Sequence, residues 1–386
     1  MQNLSVKAGR LPAVIQIPSS KSYANRALIL ASINKKEIVL KNMPQASDVT
    51  FLVTALQQIG LEIIAVGSDL TVLNYFPACE KKSDLTIEVG EGGTTARFLA
   101  SLLILGNRKY TLALGERLKL RPWKEFLKLA ADLGVFASLE DHLLVVQGPI
   151  KKIESIEVDC SETTQFASGL QLALAYSQPT VAPMNLSASQ SYFEMTQFMI
   201  GELGKNQEFV VPMDWSSASF PMCFAALSHE IFFPGLKYDP LQSDAKLFHI
   251  LKDLGCLKED QRGITVFPGA TQMSLNLDVS DCLDLVPALG FLLSHIDGIH
   301  TLTGVKNLEH KESHRLEEIV KLIKEFGKEA VGDGSKLIIT GNTLGRVSAK
   351  NLKFPNDHRM VMAGALFLRL HQGGRIYPAE AVTKSY

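Results

Sequence analysis

Apolar and polar positions along this chain fall into two interleaved series. In the first, a cluster of small polar residues runs straight into an apolar, helix-forming stretch. Ser19-Ser20-Lys21-Ser22 leads into Ala27-Leu28-Ile29-Leu30-Ala31, and similar runs follow Gly93-Thr94-Thr95, Thr163-Thr164-Gln165, Ser216-Ser217, Asp284 and Asn356-Asp357-His358. These runs are apolar nearly all round, which predicts buried helices with N-cap residues at their starts. The second series is amphipathic and closes on a bulky apolar residue and glycine: Ile59-Gly60, Leu133-Gly134, Leu203-Gly204, Leu254-Gly255 and Phe326-Gly327. There glycine is expected in the left-handed position just past a helix end. β-rich pieces such as Leu143-Leu144-Val145-Val146 and Leu337-Ile338-Ile339-Thr340 follow several of these stretches. The pattern predicts about six copies of one unit of roughly 55–75 residues, the size of a small βαβαββ fold. Exposed N-termini of buried helices attract anions, because open N–H groups and the positive end of the dipole meet there. Repeated along the chain, they predict a phosphate-rich cleft.

With 386 residues, 46% hydrophobic and 20% charged, the chain can bury two cores. The best boundary is Val210-Val211-Pro212-Met213-Asp214, giving an N-terminal domain at 19–213 and a second domain formed by 1–18 with 214–386. A net charge of −1 argues against a general nucleic-acid binder, while 39 Lys plus Arg leave room for a local cationic pocket. Met1 to Leu11 has no signal-like apolar run, and no stretch approaches the roughly 18 apolar residues of a membrane span. A cytoplasmic location is expected. Cys79, Cys160, Cys223, Cys256 and Cys282 lack C-x-x-C spacing and read as reduced thiols, and no zinc pattern is present.

The densest chemistry lies in Pro18-Ser19-Ser20-Lys21-Ser22-Tyr23-Ala24-Asn25-Arg26-Ala27-Leu28. A lysine at a helix start, hydroxyls beside it and an arginine one turn in suit a phosphorylated ligand. The same stretch alone also reads as an exposed helix cap with incidental charges. It is not a Walker loop, since the glycines of that motif are absent.

This stretch resembles the signature of the 5-enolpyruvylshikimate-3-phosphate synthase family of enolpyruvyl transferases. The likeness continues in order through Gly92-Gly93-Thr94-Thr95-Ala96-Arg97, Gly115-Glu116-Arg117 to Arg121-Pro122, Thr164-Gln165-Phe166, Ser216-Ser217-Ala218-Ser219, Lys311-Glu312-Ser313-His314-Arg315 and Asn356-Asp357-His358-Arg359-Met360, with a C-terminal Thr383-Lys384-Ser385-Tyr386. It implies an α/β fold, a two-domain inside-out α/β barrel with three βαβαββ units per domain. The last unit is incomplete, because the chain stops about where its final helix is due.

The resemblance also implies transfer of the enolpyruvyl group of phosphoenolpyruvate to the 5-hydroxyl of shikimate 3-phosphate. Phosphate is released, within the shikimate pathway to chorismate and the aromatic amino acids. No cofactor or metal is implied, and the expected form is a monomer acting on small molecules, with neither nucleic acid nor membrane as partner. For phosphoenolpyruvate it implies Lys21, Gly93, Arg121, Gln165, Arg315, Arg359 and Lys384. For shikimate 3-phosphate it implies Lys21, Ser22, Arg26, Thr163, Thr164, Gln165, Ser189, Asp284, Asn307 and Lys311. Asp284 is the favoured general base, Lys21 and Glu312 handle the proton at the methylene carbon, and Lys384 completes the catalytic set. Ligands drawn from both domains imply closure on substrate.

Each residue has a plainer reading. Thr163, Thr164 and Asp284 are all possible N-caps, Glu312 a helix-surface ion pair, and Arg117 and Lys119 surface charges with apolar stems. His358, at a helix start, is expected as a donor or packing group. Three positions depart from the family's common pattern: Glu91 for asparagine, Gly92 for alanine and Phe98 for proline. They border the phosphoenolpyruvate loop and leave the response to glyphosate open. The competing readings are the related UDP-N-acetylglucosamine enolpyruvyl transferase and a non-catalytic anion-binding descendant. The first usually has a cysteine in the loop matching 114–121, absent here, and the second is expected to lose Lys21, Asp284, Glu312 and Lys384.

Overall fold

The computed structural model describes residues 3–81, 84–151, 154–177, 180–186, 190–269, 273–343 and 345–384, with only the backbone of His310. They form two compact units, Ser19–Pro212 on one hand and Met1–Pro18 with Met213–Tyr386 on the other. The chain opens with a short strand of the second unit, β1 (Leu4–Val6).

The Ser19–Pro212 unit begins with α1 (Lys21–Ile33), β2 (Ile38–Lys41), α2 (Ser47–Ile59), β3 (Ile63–Val66) and β4 (Asp69–Val72). A full βαβαββ module follows: β5 (Leu85–Glu88), α3 (Gly93–Leu103), β6 (Lys109–Ala113), α4 (Lys124–Asp132), β7 (Phe136–Glu140) and β8 (Leu143–Gln147). A third stretch comprises β9 (Ser155–Asp159), α5 (Gln165–Ala173), β10 (Thr180–Met184), α6 (Gln190–Lys205) and β11 (Glu208–Val210). In the full module the order is β5-β6-β8-β7, with β5 and β6 parallel and the hairpin antiparallel. The first sheet has the same order, β11-β2-β4-β3. β11, parallel to β2, stands where a leading strand would, so the last strand of the unit completes its first sheet. The third sheet is the parallel pair β9 and β10.

The other unit repeats this plan. It runs α7 (Trp215–Leu227), β12 (Ile231–Pro234), α8 (Lys246–Asp253), β13 (Leu257–Asp260) and β14 (Gly263–Val266). Next come β15 (Asn276–Asp278), α9 (Val286–Leu293), β16 (Gly298–Thr303), α10 (Arg315–Glu325), β17 (Glu329–Gly332) and β18 (Lys336–Gly341). It ends with β19 (Lys350–Lys353), α11 (His358–Leu370), β20 (Gly374–Tyr377) and a 3₁₀ turn at Ala379–Lys384. The middle module is complete, in the order β15-β16-β18-β17. Val14 bridges Phe232 in parallel at the edge of β12, again in place of a leading strand.

The six polar-capped runs are α1, α3, α5, α7, α9 and α11, and all are largely buried. In one unit α1, α3 and α5 pack on one another, in the other α7, α9 and α11, so helices occupy the core. The amphipathic helices end as expected at Gly134, Gly255 and Gly327, each at φ +69°. Gly204 differs: it lies inside α6, which continues to Lys205.

An incomplete last unit would leave the apolar face of its buried helix without the amphipathic cover of the other units, yet that face is covered. Val361 is 2% and Leu368 0% exposed, and Ala365 is half-buried. No amphipathic helix follows α11 among the described residues. Instead β1 adds antiparallel to β20, bringing Val6 into the core, and the 3₁₀ turn at Ala379–Lys384 packs on α11. Val6→Asp buries an unpaired charge at this seam and should cost about 3 kcal/mol or more. Native-state hydrogen exchange checks it: α11 amides should be as protected as those of α5 in the wild type and exchange faster in the variant.

Candidate active site

In the Ser19–Pro212 unit, the polar starts of α1, α3 and α5 carry the expected residues. Lys21 is the first residue of α1, and its Nζ lies 2.9 Å from Oδ2 of Asp48. Asp48 is 3% exposed, and its carboxyl lies against Gly92, where an added Cβ would be 2.7 Å away. Gly93 opens α3 at an equally close approach: a Cβ there would lie 2.6 Å from Nη1 of Arg121 and 3.0 Å from Oε1 of Gln165. Lys21, Asp48, Gly93, Arg121 and Gln165 thus form one polar surface.

Arg97 organises that surface from beneath. Its Nη1 donates to Oε1 of Gln165 at 2.8 Å and to Oγ1 of Thr163 at 3.3 Å, and Nη2 donates to the Pro122 carbonyl at 3.0 Å. The guanidinium stacks over Phe166 and Trp123, 4.9 and 5.6 Å from the ring centroids. Burial, and then the nearby Arg121, lower its pKa to about 9, so it stays charged at neutral pH. The Thr163 hydroxyl accepts from the Gln165 amide at 3.2 Å, as an N-cap would, while Thr164 makes no side-chain cap.

Arg26, expected to meet ligand, points inward. Nε donates to Thr196 at 2.9 Å, Nη1 to the Ser22 carbonyl and Nη2 to the Tyr192 carbonyl, both at 2.9 Å. It stacks on Phe98 and is 2% exposed, and burial lowers its pKa to about 10. The Arg26 guanidinium thus lies against the backbone of Ser22. Ser189 lies outside the described residues.

In the Met213–Tyr386 unit the expected residues converge on one ion network. Asp284 sits in a 3₁₀ turn at Leu283–Leu285, just before α9, and is no N-cap of that helix. Its Oδ1 meets Arg315 Nη1 at 2.8 Å and Lys311 Nζ at 3.3 Å, and its Oδ2 meets Arg359 Nη2 at 3.1 Å. Burial alone would raise its carboxyl. Arg359, Lys311 and Arg315 together overcome that and hold it well below the usual carboxylate range. Arg315, 0% exposed, also binds Asp357, with Nε 3.0 Å from Oδ2, and bonds to Oε2 of Glu312. Lys384, in the final 3₁₀ turn, closes the network 2.9 Å from Oε1 of Glu312. Asn307 lies in the 3₁₀ turn at Lys306–His310, just ahead of Lys311.

Glu312 is therefore an interior ion-pair member, not a surface one. His358 Nε2 accepts from Arg359 Nη1, 2.6 Å away, because a guanidinium can only donate, and the ring's own proton is then on Nδ1.

Sequence reading passed over Asp48, Asp357 and Asp244 as site residues. Asp357 caps α11 by accepting from the Arg359 amide at 3.0 Å, takes the Ser313 hydroxyl at 2.8 Å and braces Arg315. Its place before an apolar run signalled the cap, but its ion pair is set by contacts 42 residues away. The four cysteines 160, 223, 256 and 282 are buried, and burial pushes the Cys160 thiol up to about 11 and Cys282 to about 12, so neither is a ready nucleophile. Among the described residues no group of His, Cys, Asp and Glu could hold a metal ion.

Asp244 is 1% exposed. Burial, and then the charge of Asp284, push its carboxyl up to about 7 against the opposing pull of Arg359. A carboxyl whose pKa is raised on folding contributes stability below its unfolded value and loses it as pH rises through the folded one. Asp244→Asn should therefore raise the melting temperature relative to wild type at pH 8. The gain should shrink towards pH 4, measured by thermal unfolding across that range.

The family model for EPSP synthase (3-phosphoshikimate 1-carboxyvinyltransferase) matches residues 6–206 and 200–386. A 3-phosphoshikimate 1-carboxyvinyltransferase of Clostridium kluyveri is 28% identical, covering 100% of this chain and 95% of its own. One from Pyrococcus abyssi is 27% identical, covering 96% and 92%. Among solved structures, EPSP synthase from Acinetobacter baumannii has a TM-score of 0.79 at 20% identity, over 100% and 96% of the two chains. The enolpyruvyl transferase NikO from Streptomyces tendae also has a TM-score of 0.79, at 13% identity, over 99% and 94%. The fold is the two-domain inside-out α/β fold, and with the matched model spanning nearly all of its length this chain belongs to the EPSP synthase family.

Proposed function

We propose a division of labour among the site residues for the reaction of this family. The enzyme transfers the enolpyruvyl group of phosphoenolpyruvate to the 5-hydroxyl of shikimate 3-phosphate, a step of the shikimate pathway to the aromatic amino acids. The hydroxyl oxygen must bond to C2 of phosphoenolpyruvate while the methylene carbon gains a proton. Loss of phosphate and of a methyl proton then restores the double bond.

The observation that carries the assignment is the network around Asp284, where three cations hold one carboxylate ionised. In the free protein they make it a weak base. Phosphate or carboxylate oxygens that draw Arg359, Lys311 or Arg315 away lessen that field, and Asp284 becomes a better acceptor for the hydroxyl proton. Bound anions thus switch on the base. Glu312, in contact with Lys384 and Arg315, is the proposed proton handler at the methylene carbon with Lys21. Arg121, Gln165 and the open backbone of Gly93 are assigned to phosphoenolpyruvate along with Lys21, Arg315, Arg359 and Lys384. Ser22, Thr163, Thr164, Gln165, Ser189, Asn307 and Lys311 are assigned to shikimate 3-phosphate, with Arg26 as a support behind Ser22.

We also propose a monomer, in the reducing cytoplasm, in keeping with five free thiols.

Phosphate should be released only when shikimate 3-phosphate and phosphoenolpyruvate are both supplied. Asp284→Asn should cut turnover by at least about 10²-fold. Its fold should persist, because Arg315 keeps Asp357 and Glu312. Near-normal turnover would return Asp284 to a structural role. Lys21→Met should lose turnover to a similar degree, about 10²-fold, and also lower the melting temperature by stranding the buried Asp48 carboxylate. Adding Asp48→Asn should restore the melting temperature without restoring turnover, measured by calorimetry and phosphate release on the single and double variants.

A further inference from the structure

Glu91 lies between β5 and α3, in the turn immediately before Gly92 and Gly93. Its side chain reaches the Gly115–Arg121 loop. Oε2 accepts from the Leu118 amide at 3.0 Å and Oε1 from the Arg117 amide at 3.4 Å. The carboxylate thus spans two consecutive backbone N–H groups at the start of the 3₁₀ turn Leu118–Leu120, whose C-cap is Arg121.

The rest of that turn is fixed through the same residue. The Leu118 side chain is 0% exposed, and its carbonyl accepts from the Arg121 amide at 3.2 Å and the Trp123 indole at 3.0 Å. The backbone of Gly115 comes so close that an added Cβ would lie 2.4 Å from the Glu91 carboxyl, and its amide bonds to the Gly90 carbonyl at 3.0 Å. The turn ends where the Arg121 guanidinium meets the backbone of Gly93.

We infer that Glu91 is a positioning residue for phosphoenolpyruvate: it ties the Gly115–Arg121 loop to the start of α3 and so sets where Arg121 presents its guanidinium. A carboxylate beside a subsite for a highly anionic substrate would by itself oppose binding. Here the two amides hold and screen it, and the benefit of a fixed guanidinium exceeds the repulsion. A carboxylate offers one oxygen to each amide, whereas a primary amide has a single oxygen to share between them. The inference rests on the assignment of Arg121 to phosphoenolpyruvate made above.

The test is steady-state kinetics of wild type, Glu91→Ala, Glu91→Gln, Gly115→Ala and Arg121→Ala with each substrate varied, together with hydrogen exchange of residues 115–121. Glu91→Ala should raise KM for phosphoenolpyruvate about tenfold, with KM for shikimate 3-phosphate and kcat within about threefold. The Arg117 and Leu118 amides should exchange faster in that variant. Glu91→Gln, keeping one acceptor, should fall between it and wild type, and Gly115→Ala should reproduce the loss. An unchanged KM in Glu91→Ala, a parallel rise in both KM values, or tighter phosphoenolpyruvate binding by Glu91→Gln would overturn the inference. If Arg121→Ala raises KM for phosphoenolpyruvate while Glu91→Ala does not, the inference fails and the subsite stands. If Arg121→Ala leaves it unchanged, the subsite assignment fails and the inference with it, whatever the exchange shows.

Discussion

Arg315 is fully removed from water, and three carboxylates converge on it: Asp357 from the start of α11, Asp284 from the turn before α9, and Glu312 from the segment before α10. A guanidinium in that position is tolerable only if neutralised with well-formed hydrogen bonds, because its desolvation costs several kcal/mol. The three segments that supply the carboxylates are thereby held at the spacing of one side chain. Lys311, Arg359 and Lys384 then bind the outer faces of Asp284 and Glu312. Four cations stand against three carboxylates, leaving one positive charge in excess for an anionic ligand. An ionised Asp244 would cancel that excess, and its raised pKa keeps it from doing so completely near neutrality.

The Ser19–Pro212 unit buries its guanidinium groups by a different route. Arg26 and Arg97 are buried beside carbonyls, hydroxyls and aromatic rings, and the recorded bonds of their guanidinium groups go to no carboxylate. Burial lowers both pKa values, and the charge of Glu162 offsets this only in part for Arg97. Arg97 also decides which way the Gln165 amide faces. Because the Gln165 oxygen accepts from Arg97, its NH₂ group is left to donate elsewhere, which suits an anion and not a cation.

The polar-capped helices were legible in the sequence because their signals are local: a small polar residue, then an apolar run within one turn. The repeat was legible for the same reason. Partners contributed by distant segments were not. Nothing near residue 244 shows that its carboxyl will sit near Asp284, and Arg26 looks as suited to a phosphate as to the Tyr192 carbonyl it reaches. Gly204 has the same bulky-residue-plus-glycine signature as Gly134, but α6 runs through it to Lys205. Which element covers α11 was not legible near it, since β1 comes from the opposite end of the sequence.

That seam also orders events during synthesis. Leu4 pairs with Ile376, so roughly 370 residues must be made between the two sides of one antiparallel contact. At about 5–20 residues per second, the opening strand waits on the order of 20–70 seconds for its partner. The Ser19–Pro212 unit waits less than half as long, because its own last strand, β11, closes its first sheet through the pairing of Glu208 with Val39. One unit is thus able to fold while the ribosome still holds the chain, and the other closes its last sheet only after β20 has emerged.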